Sequence, residues 1–340
     1  MQTPGRPILK KAPTVPTQVL PDGRYLPERD GHRVWWCETG LPAGVPLLVL
    51  HGGPGGRTRV APFSWFDGLP VRCIALDQRG CGHSAPAGGL EHNTLAHLVQ
   101  DIERLRIELD VAAWGVVGGS WGALLAVAYA AAHPQRVQGL LLRCAFLGSD
   151  AEVARFFEPW AAWLGDAGAA WLGATAPGDP LSLLRAPPLP GAAHTVARAR
   201  VALAWQAFES AQAQAGGLHA MQGARFKPPD AVPTAEADDL PASLAVQVHY
   251  LQQHCFVTPH GVDDWVGLLR DALGTCPVSL VHGLADAVCH PDVTAALAAR
   301  WPHAKVRWVE QAGHDMDAPT MRQALTDAAH EWVARITPPA

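Results

Sequence analysis

The 340 residues carry a formal net charge of −5, from 26 Lys and Arg against 31 Asp and Glu. With no basic surplus to follow phosphates, nucleic-acid binding is not expected. A composition 49% hydrophobic and 17% charged is that of a globular chain, long enough for one domain with an insertion or for two.

The chain opens on MQTPGRPILKKAPTVPTQ, proline-rich and lacking an apolar segment after its lysines. It reads as part of an extended arm over residues 1–27, not as a secretory signal. No run approaches the length of a membrane-spanning helix, so a membrane partner is not expected. GHRVWWCETG is an early strand by its aromatic and β-branched centre. VPLLVL, at 45–50, is a continuous apolar run, the pattern of a strand buried on both faces, and it stops in HGGPGG. VRCIALD follows and stops in QRGCGHS. TLAHLVQDIERLRIEL has helical spacing, WGVVGG is a strand, SWGALLAVAYAAAH a helix and VQGLLLRCAF a strand. Strand, loop and helix at this pace define an α/β protein with a mostly parallel sheet flanked by helices. Its glycine-rich loops follow the carboxyl ends of strands, where such sheets hold ligands.

From 149 to 270 the grammar changes to Ala, Trp and Pro with helical stretches such as HTVARARVALAWQAFESAQAQ. This region reads as a helical cap inserted into a core formed by 28–148 and 271–340. The βα pattern then resumes with PVSLVHG, VTAALAARW, AKVRWVE and a last helix around MRQALTDAAHEWVARI.

Seven scattered cysteines, with no Cys-x-x-Cys pair, argue against a disulfide framework and for a reducing, cytoplasmic compartment. Sixteen histidines include no HExxH or other tight ligand spacing, so a metal is not expected. The glycine-rich loops show neither GxGxxG nor GxxxxGK(S/T), and no other cofactor is expected.

Gly118-Gly119-Ser120-Trp121-Gly122 fits G-x-S-x-G, the nucleophile elbow of α/β-hydrolases, with a strand before it and a helix after it. Taken alone, the same five residues also suit a serine N-cap closing a glycine turn. A serine hydroxyl needs a base and an orienting acid, which in this fold follow in the order Ser, Asp, His. Asp286 in VSLVHGLAD and His314 in VRWVEQAGHD each fall just past a strand, in that order. The three together favour the catalytic reading: Ser120 nucleophile, His314 base, Asp286 orienting acid. For the oxyanion, backbone N–H groups of Trp121 and of Gly53 in the HGGPG loop are the expected donors.

HGGPGG, LDQRGCGHS, DIERLR, GGSWGALLAVAYA, HPQRV and LLLRCAF, in this order, resemble the proline iminopeptidases, serine-dependent α/β-hydrolases that remove an N-terminal proline. The resemblance spans roughly 30–335 and is strongest up to 147. It implies a small peptide substrate whose free amine is held by acidic residues of the cap. In Trp205-Gln206-Ala207-Phe208-Glu209 it makes Glu209 the amine anchor. The family's second glutamate falls at Gln247, which keeps a carbonyl acceptor without the charge. Phe146, Phe156 and Cys289 match its apolar ring pocket, while Leu251 stands where a phenylalanine is usual. Leu284 and His83 each stand where the family has arginine. These departures lie around substrate recognition, so a small ester or amide without a charged α-amine stays open as substrate. A non-catalytic binding protein on the same fold is the less favoured reading. A homo-oligomer also remains open.

Overall fold

The computed structural model describes residues 19–173, 180–185, 192–214, 225–229, 241–257, 267, 274 and 276–337. The first 18 residues of the expected arm, parts of the expected cap and the start of the second core segment at 271 lie outside them.

Eight strands form one sheet: β1 Gly23–Tyr25, β2 Trp35–Gly40, β3 Val45–Leu50, β4 Val71–Leu76, β5 Trp114–Gly119, β6 Val137–Arg143, β7 Val278–Gly283 and β8 Lys305–Val309. Their spatial order is β1-β2-β4-β3-β5-β6-β7-β8. β1 and β2 join at one edge by antiparallel pairing, and every pair from β4–β3 to β7–β8 is parallel. Gly23–Tyr25 corrects the sequence reading: the end of the supposed arm is an exposed edge strand pairing with Trp35–Cys37. Three exposed residues carry no hydrophobic alternation, so nothing in their pattern marks them as a strand.

The apolar runs behave as their composition dictates. β5 and β7 are buried almost throughout, as parallel strands covered on both faces must be. Helices lie on each side. α1 is Ala61–Ser64, α2 Leu95–Glu108 and α3 Trp121–Ala132. Between β6 and β7 come α4 Asp150–Phe157, α5 Trp160–Leu172, α6 Pro180–Arg185, α7 Ala192–Gln214 and α8 Ala242–Gln252. α9 Pro291–Arg300 and α10 Pro319–Ile336 complete the set.

α1 and α10 pack one face of the sheet around Phe63, Leu325 and Trp332. α2, α3 and the helices between β6 and β7 share the other core. α3 shows why one core serves both: residues 121–130 are buried all round, so the helix is sandwiched between the sheet and what covers it. Phe157, Trp160, Trp163, Trp205 and Phe208 form an aromatic cluster in that cover, with edge contacts such as Phe157–Trp205 at 4.9 Å between centroids. α8 is tied to the core by polar groups: the Tyr250 hydroxyl donates to Asn93 Oδ1 at 2.8 Å, and His249 Nε2 donates to the Asn93 carbonyl at 2.8 Å. Gln247 on α8 is thereby held at a fixed height above the sheet.

Candidate active site

The ends of β3, β5, β7 and β8 converge at the carboxyl edge of the sheet. Leu50 pairs with Gly118, so the loop after β3 lies directly beside the turn after β5. That turn holds Ser120 at φ 56°, ψ −126° as N-cap of α3. A left-handed φ in a non-glycine residue costs on the order of 1–3 kcal/mol and persists only where its surroundings impose it. The neighbouring glycines do so. A Cβ on Gly118 would lie 2.2 Å from the Gly122 carbonyl oxygen, and one on Gly122 would lie 2.5 Å from the Leu50 carbonyl oxygen. Strand, turn and helix thus approach too closely for a side chain at 118 or 122.

Asp286 stands in the turn after β7, fully buried. Its Oδ1 accepts from the N–H groups of Val288 and Cys289, both at 2.9 Å, and its Oδ2 accepts from His314 Nδ1 at 2.8 Å. Burial alone would raise this carboxyl. The charge and hydrogen bond of His314 outweigh it, with help from His282 and the Cys289 N–H, and hold it at about 2. Because a carboxylate can only accept, His314 carries its proton on Nδ1 and leaves Nε2 as the basic nitrogen. Arg143 Nη1 donates to the His314 carbonyl at 2.6 Å and fixes the loop that bears the ring. Ser120 Oγ lies 3.7 Å from Cys289 Sγ, and it makes no hydrogen bond to His314 among the described residues. Such a bond commonly tightens only when substrate arrives.

Trp121 is the first residue of α3, so its N–H has no carbonyl four residues back and is free to face an anion. Its indole plays a different part, with Nε1 donating to Gln78 Oε1 at 2.8 Å. The Gln78 side chain donates in turn to the His51 carbonyl at 3.0 Å, and its backbone N–H donates to His51 Nε2 at 3.0 Å. Gln78 therefore stitches the HGGPG loop to the elbow. Asp77, also buried, accepts from the Thr58 N–H at 2.6 Å and the His83 N–H at 2.8 Å, closing the same loop from behind. His83 completes this with its ring, 2.9 Å from Asp77 Oδ2 and stacked on Trp35. Leu284 is half exposed and does not line the cavity below.

A cavity of about 60 Å³ joins Ser120 and Gly53 to all six residues expected to contact substrate: Phe146, Phe156, Glu209, Gln247, Leu251 and Cys289. Burial raises the Glu209 carboxyl, opposed by a hydrogen bond from Gln247 Nε2 to its Oε1. With its nitrogen committed there, Gln247 offers a neutral carbonyl and no second negative charge. Glu152, which sequence reasoning did not single out, also lines the cavity. It closes the capping box of α4 with Ser149, and its Oε1 accepts from the Leu147 N–H at 2.9 Å. The Ser-x-x-Glu spacing was the available signal, but it speaks only of a helix start.

Cys144, His282 and Asp286 place donor atoms within 4.8 Å of one another. They do not fit a metal. His282 engages Thr294 Oγ1 at 2.6 Å with Nδ1 and the Cys289 carbonyl at 2.9 Å with Nε2, and burial drives the Cys144 thiol strongly upward, keeping it protonated.

Comparison with known proteins gives the fold and the family. Residues 45–180 match the family described as alpha/beta hydrolase fold. Among solved structures, an esterase from Rhodococcus sp. ECU1013 superposes with a TM-score of 0.59 at 19% identity, covering 93% of this chain and 99% of that one. The proline iminopeptidase-related protein from Thermus thermophilus gives 0.55 at 21% identity, covering 92% and 99%. The molecule is an α/β-hydrolase. In sequence it is 32% identical over 315 residues to a probable proline iminopeptidase of Leptolyngbya boryana, covering 92% of this chain and 94% of the relative. It is 33% identical over 329 residues to the proline iminopeptidase of Neisseria gonorrhoeae, covering 92% and 96%. The chain belongs to the proline iminopeptidase family. No helix among the described residues is long and apolar enough to cross a membrane.

Proposed function

We propose that the protein is a serine aminopeptidase that releases an N-terminal proline, or another small residue, from short peptides through an acyl-enzyme. The observation that carries this reading is the half-buried carboxylate of Glu209 in the same small cavity as Ser120. A half-buried carboxylate that accepts from the neutral Gln247 amide and pairs with no cation among the described residues gains when a cation arrives, and the free α-amine of a peptide is such a cation. Phe146, Phe156, Leu251 and Cys289 supply the apolar wall for a ring.

The steps follow from the contacts. His314 Nε2 takes the Ser120 proton as Oγ attacks the carbonyl, while Asp286 holds the Nδ1–H tautomer and stabilises the imidazolium. The N–H groups of Trp121 and Gly53 receive the oxyanion. His314 then protonates the leaving amine, and water, deprotonated by the same nitrogen, releases the acyl group. Residues 149–270 act as the cap that carries Glu209 and Gln247 over this chemistry, with 28–148 and 271–340 as the core beneath. Seven unpaired cysteines support a reducing, cytoplasmic setting.

Gln247 favours one second reading, an esterase or amidase whose substrate has no charged amine, because it sets an amide beside Glu209 where relatives of this type are expected to have a second carboxylate. Prolyl and alanyl chromogenic amides assayed beside short acyl esters separate the two. Turnover of prolyl amides is expected; turnover of esters alone would remove the peptidase reading.

A further inference from the structure

Beside the catalytic cavity opens a second, larger one of about 470 Å³. It runs between α4 and α9, and it shares Phe146, Glu152, Val288 and Cys289 with the small cavity. It begins at Cys289, whose Sγ is 3.7 Å from the Ser120 hydroxyl, and neither Glu209 nor Gln247 lines it. The small cavity has room for roughly five waters, enough for one ring and not for the chain that follows. A substrate pinned by its amine at Glu209 and presenting its carbonyl to Ser120 must therefore send the remainder elsewhere. The wide opening past Cys289, lined by Ala287 and Val288 and not by the amine anchor, is a route that the described residues leave open.

We propose that the groove between α4 and α9 receives the leaving peptide, and that Arg155 pairs with the C-terminal carboxylate of a short one. This rests on the aminopeptidase reading above. Four charged side chains and a histidine line the groove: Glu152, Arg155, Glu158, Asp292 and His290. Glu152 is spent on the α4 cap, where both oxygens accept local hydrogen bonds. His290 Nδ1 lies 3.0 Å from Asp292 Oδ2. Arg155 is the one guanidinium among the lining residues, and it reaches from α4 to Asp292 on α9 at 3.5 Å. Its side chain is 50% exposed and that of Asp292 74%, and ion pairs so open to water are weak. A peptide carboxylate, able to accept two hydrogen bonds from the planar fork, competes well for that guanidinium. The acidic groups at the rim disfavour acidic side chains beyond the scissile bond, so the expected partner is a neutral or basic short peptide with a free C-terminus.

The test compares prolylglycine with its C-terminal amide, and prolyl-triglycine with a prolyl arylamide, on the wild-type protein and two variants. The free acid is expected to exceed the amide in kcat/KM by about threefold, the worth of a charge pair this open to water, and Arg155→Gln to erase that preference. Ala296→Trp, which fills the groove from α9, is expected to lower the ratio of tetrapeptide to arylamide turnover at least about tenfold. Equal use of acid and amide by the wild type, a preference surviving Arg155→Gln, or an unmoved ratio in Ala296→Trp would each overturn the proposal. Titration of the Ser120→Ala protein with glycylglycine reads the groove without turnover. Weaker binding in the Ser120→Ala/Arg155→Gln double variant is expected, and equal binding contradicts the groove. If the wild type cleaves no prolyl substrate while glycylglycine still binds through Arg155, the aminopeptidase reading fails and the site stands.

Discussion

The carboxyl edge of the sheet and the cap above it are built by different rules. At the edge, backbone geometry dictates chemistry: Gly118 and Gly122 have no space for a Cβ, Ser120 takes a left-handed φ, and Asp286 and His314 sit at the ends of adjacent parallel strands. In the proposed cap, single side chains on helices would dictate recognition, and two of them on α8, Gln247 and Leu251, depart from the family pattern. At Gly118 and Gly122 the edge leaves no room for a larger residue. The cap can exchange one charge for an amide and still pack. Reaction type and specificity are therefore separable here, and variants should affect one without the other.

The sharpest break is Ser120→Ala. It is expected to lower kcat at least about 10⁴-fold for every substrate, ester or amide, while leaving thermal unfolding little changed or slightly improved, since alanine retains no lone hydroxyl to bury. Substrate-dependent residual activity would mean that the edge does not govern chemistry alone. Gln78→Ala comes next. It leaves the Trp121 indole and the His51 carbonyl without their shared partner, so kcat should fall about tenfold to a hundredfold, with KM moving less. Steady-state kinetics on one amide and one ester should show the same loss for both, because the oxyanion loop serves either.

A third test uses acid. Asp286 titrates at about 2 in the folded protein against an ordinary 3.8. A carboxylate held below its unfolded value stabilises the fold above about pH 4, and that contribution disappears as pH falls through about 2. The difference corresponds to about 2 kcal/mol. Denaturant unfolding of wild type and Asp286→Asn should therefore converge between pH 4 and 2; parallel curves would mean that the His314 contact does not hold this carboxyl down. The smallest effect is the most informative about the cap. Gln247→Glu places a second carboxylate against Glu209, and turnover of prolyl amides should improve several-fold through KM, at a stability cost of about 1 kcal/mol from like charges. No gain, or a loss, would show that the amide suits the natural substrate better than the charge.

The edge was legible in the sequence because sterics write it there. G-x-S-x-G at 118–122, and Asp286 and His314 each one loop past an apolar run, are local patterns with a backbone cause. Glu209 and Gln247 came from family resemblance, since a helix glutamate and a helix glutamine look the same exposed or buried. The roles of Gln78, Arg143 and Glu152 were hidden for a different reason. Gln78 meets Trp121 across 43 residues and Arg143 meets His314 across 171, and no spacing rule reaches so far. Trp121 shows the limit within one residue: its backbone N–H was predictable from its place after the serine, whereas its indole bond to Gln78 was not. The edge strand Gly23–Tyr25 was missed because three exposed residues hold no pattern at all.

The most direct measurement is kcat/KM of the wild-type protein for a prolyl arylamide with a free amine and for the same compound N-acetylated. Capture of the ammonium by Glu209 predicts at least about a tenfold preference for the free amine, from one half-buried charge-assisted pair. Equal turnover of the two, or faster turnover of the blocked compound, would contradict it.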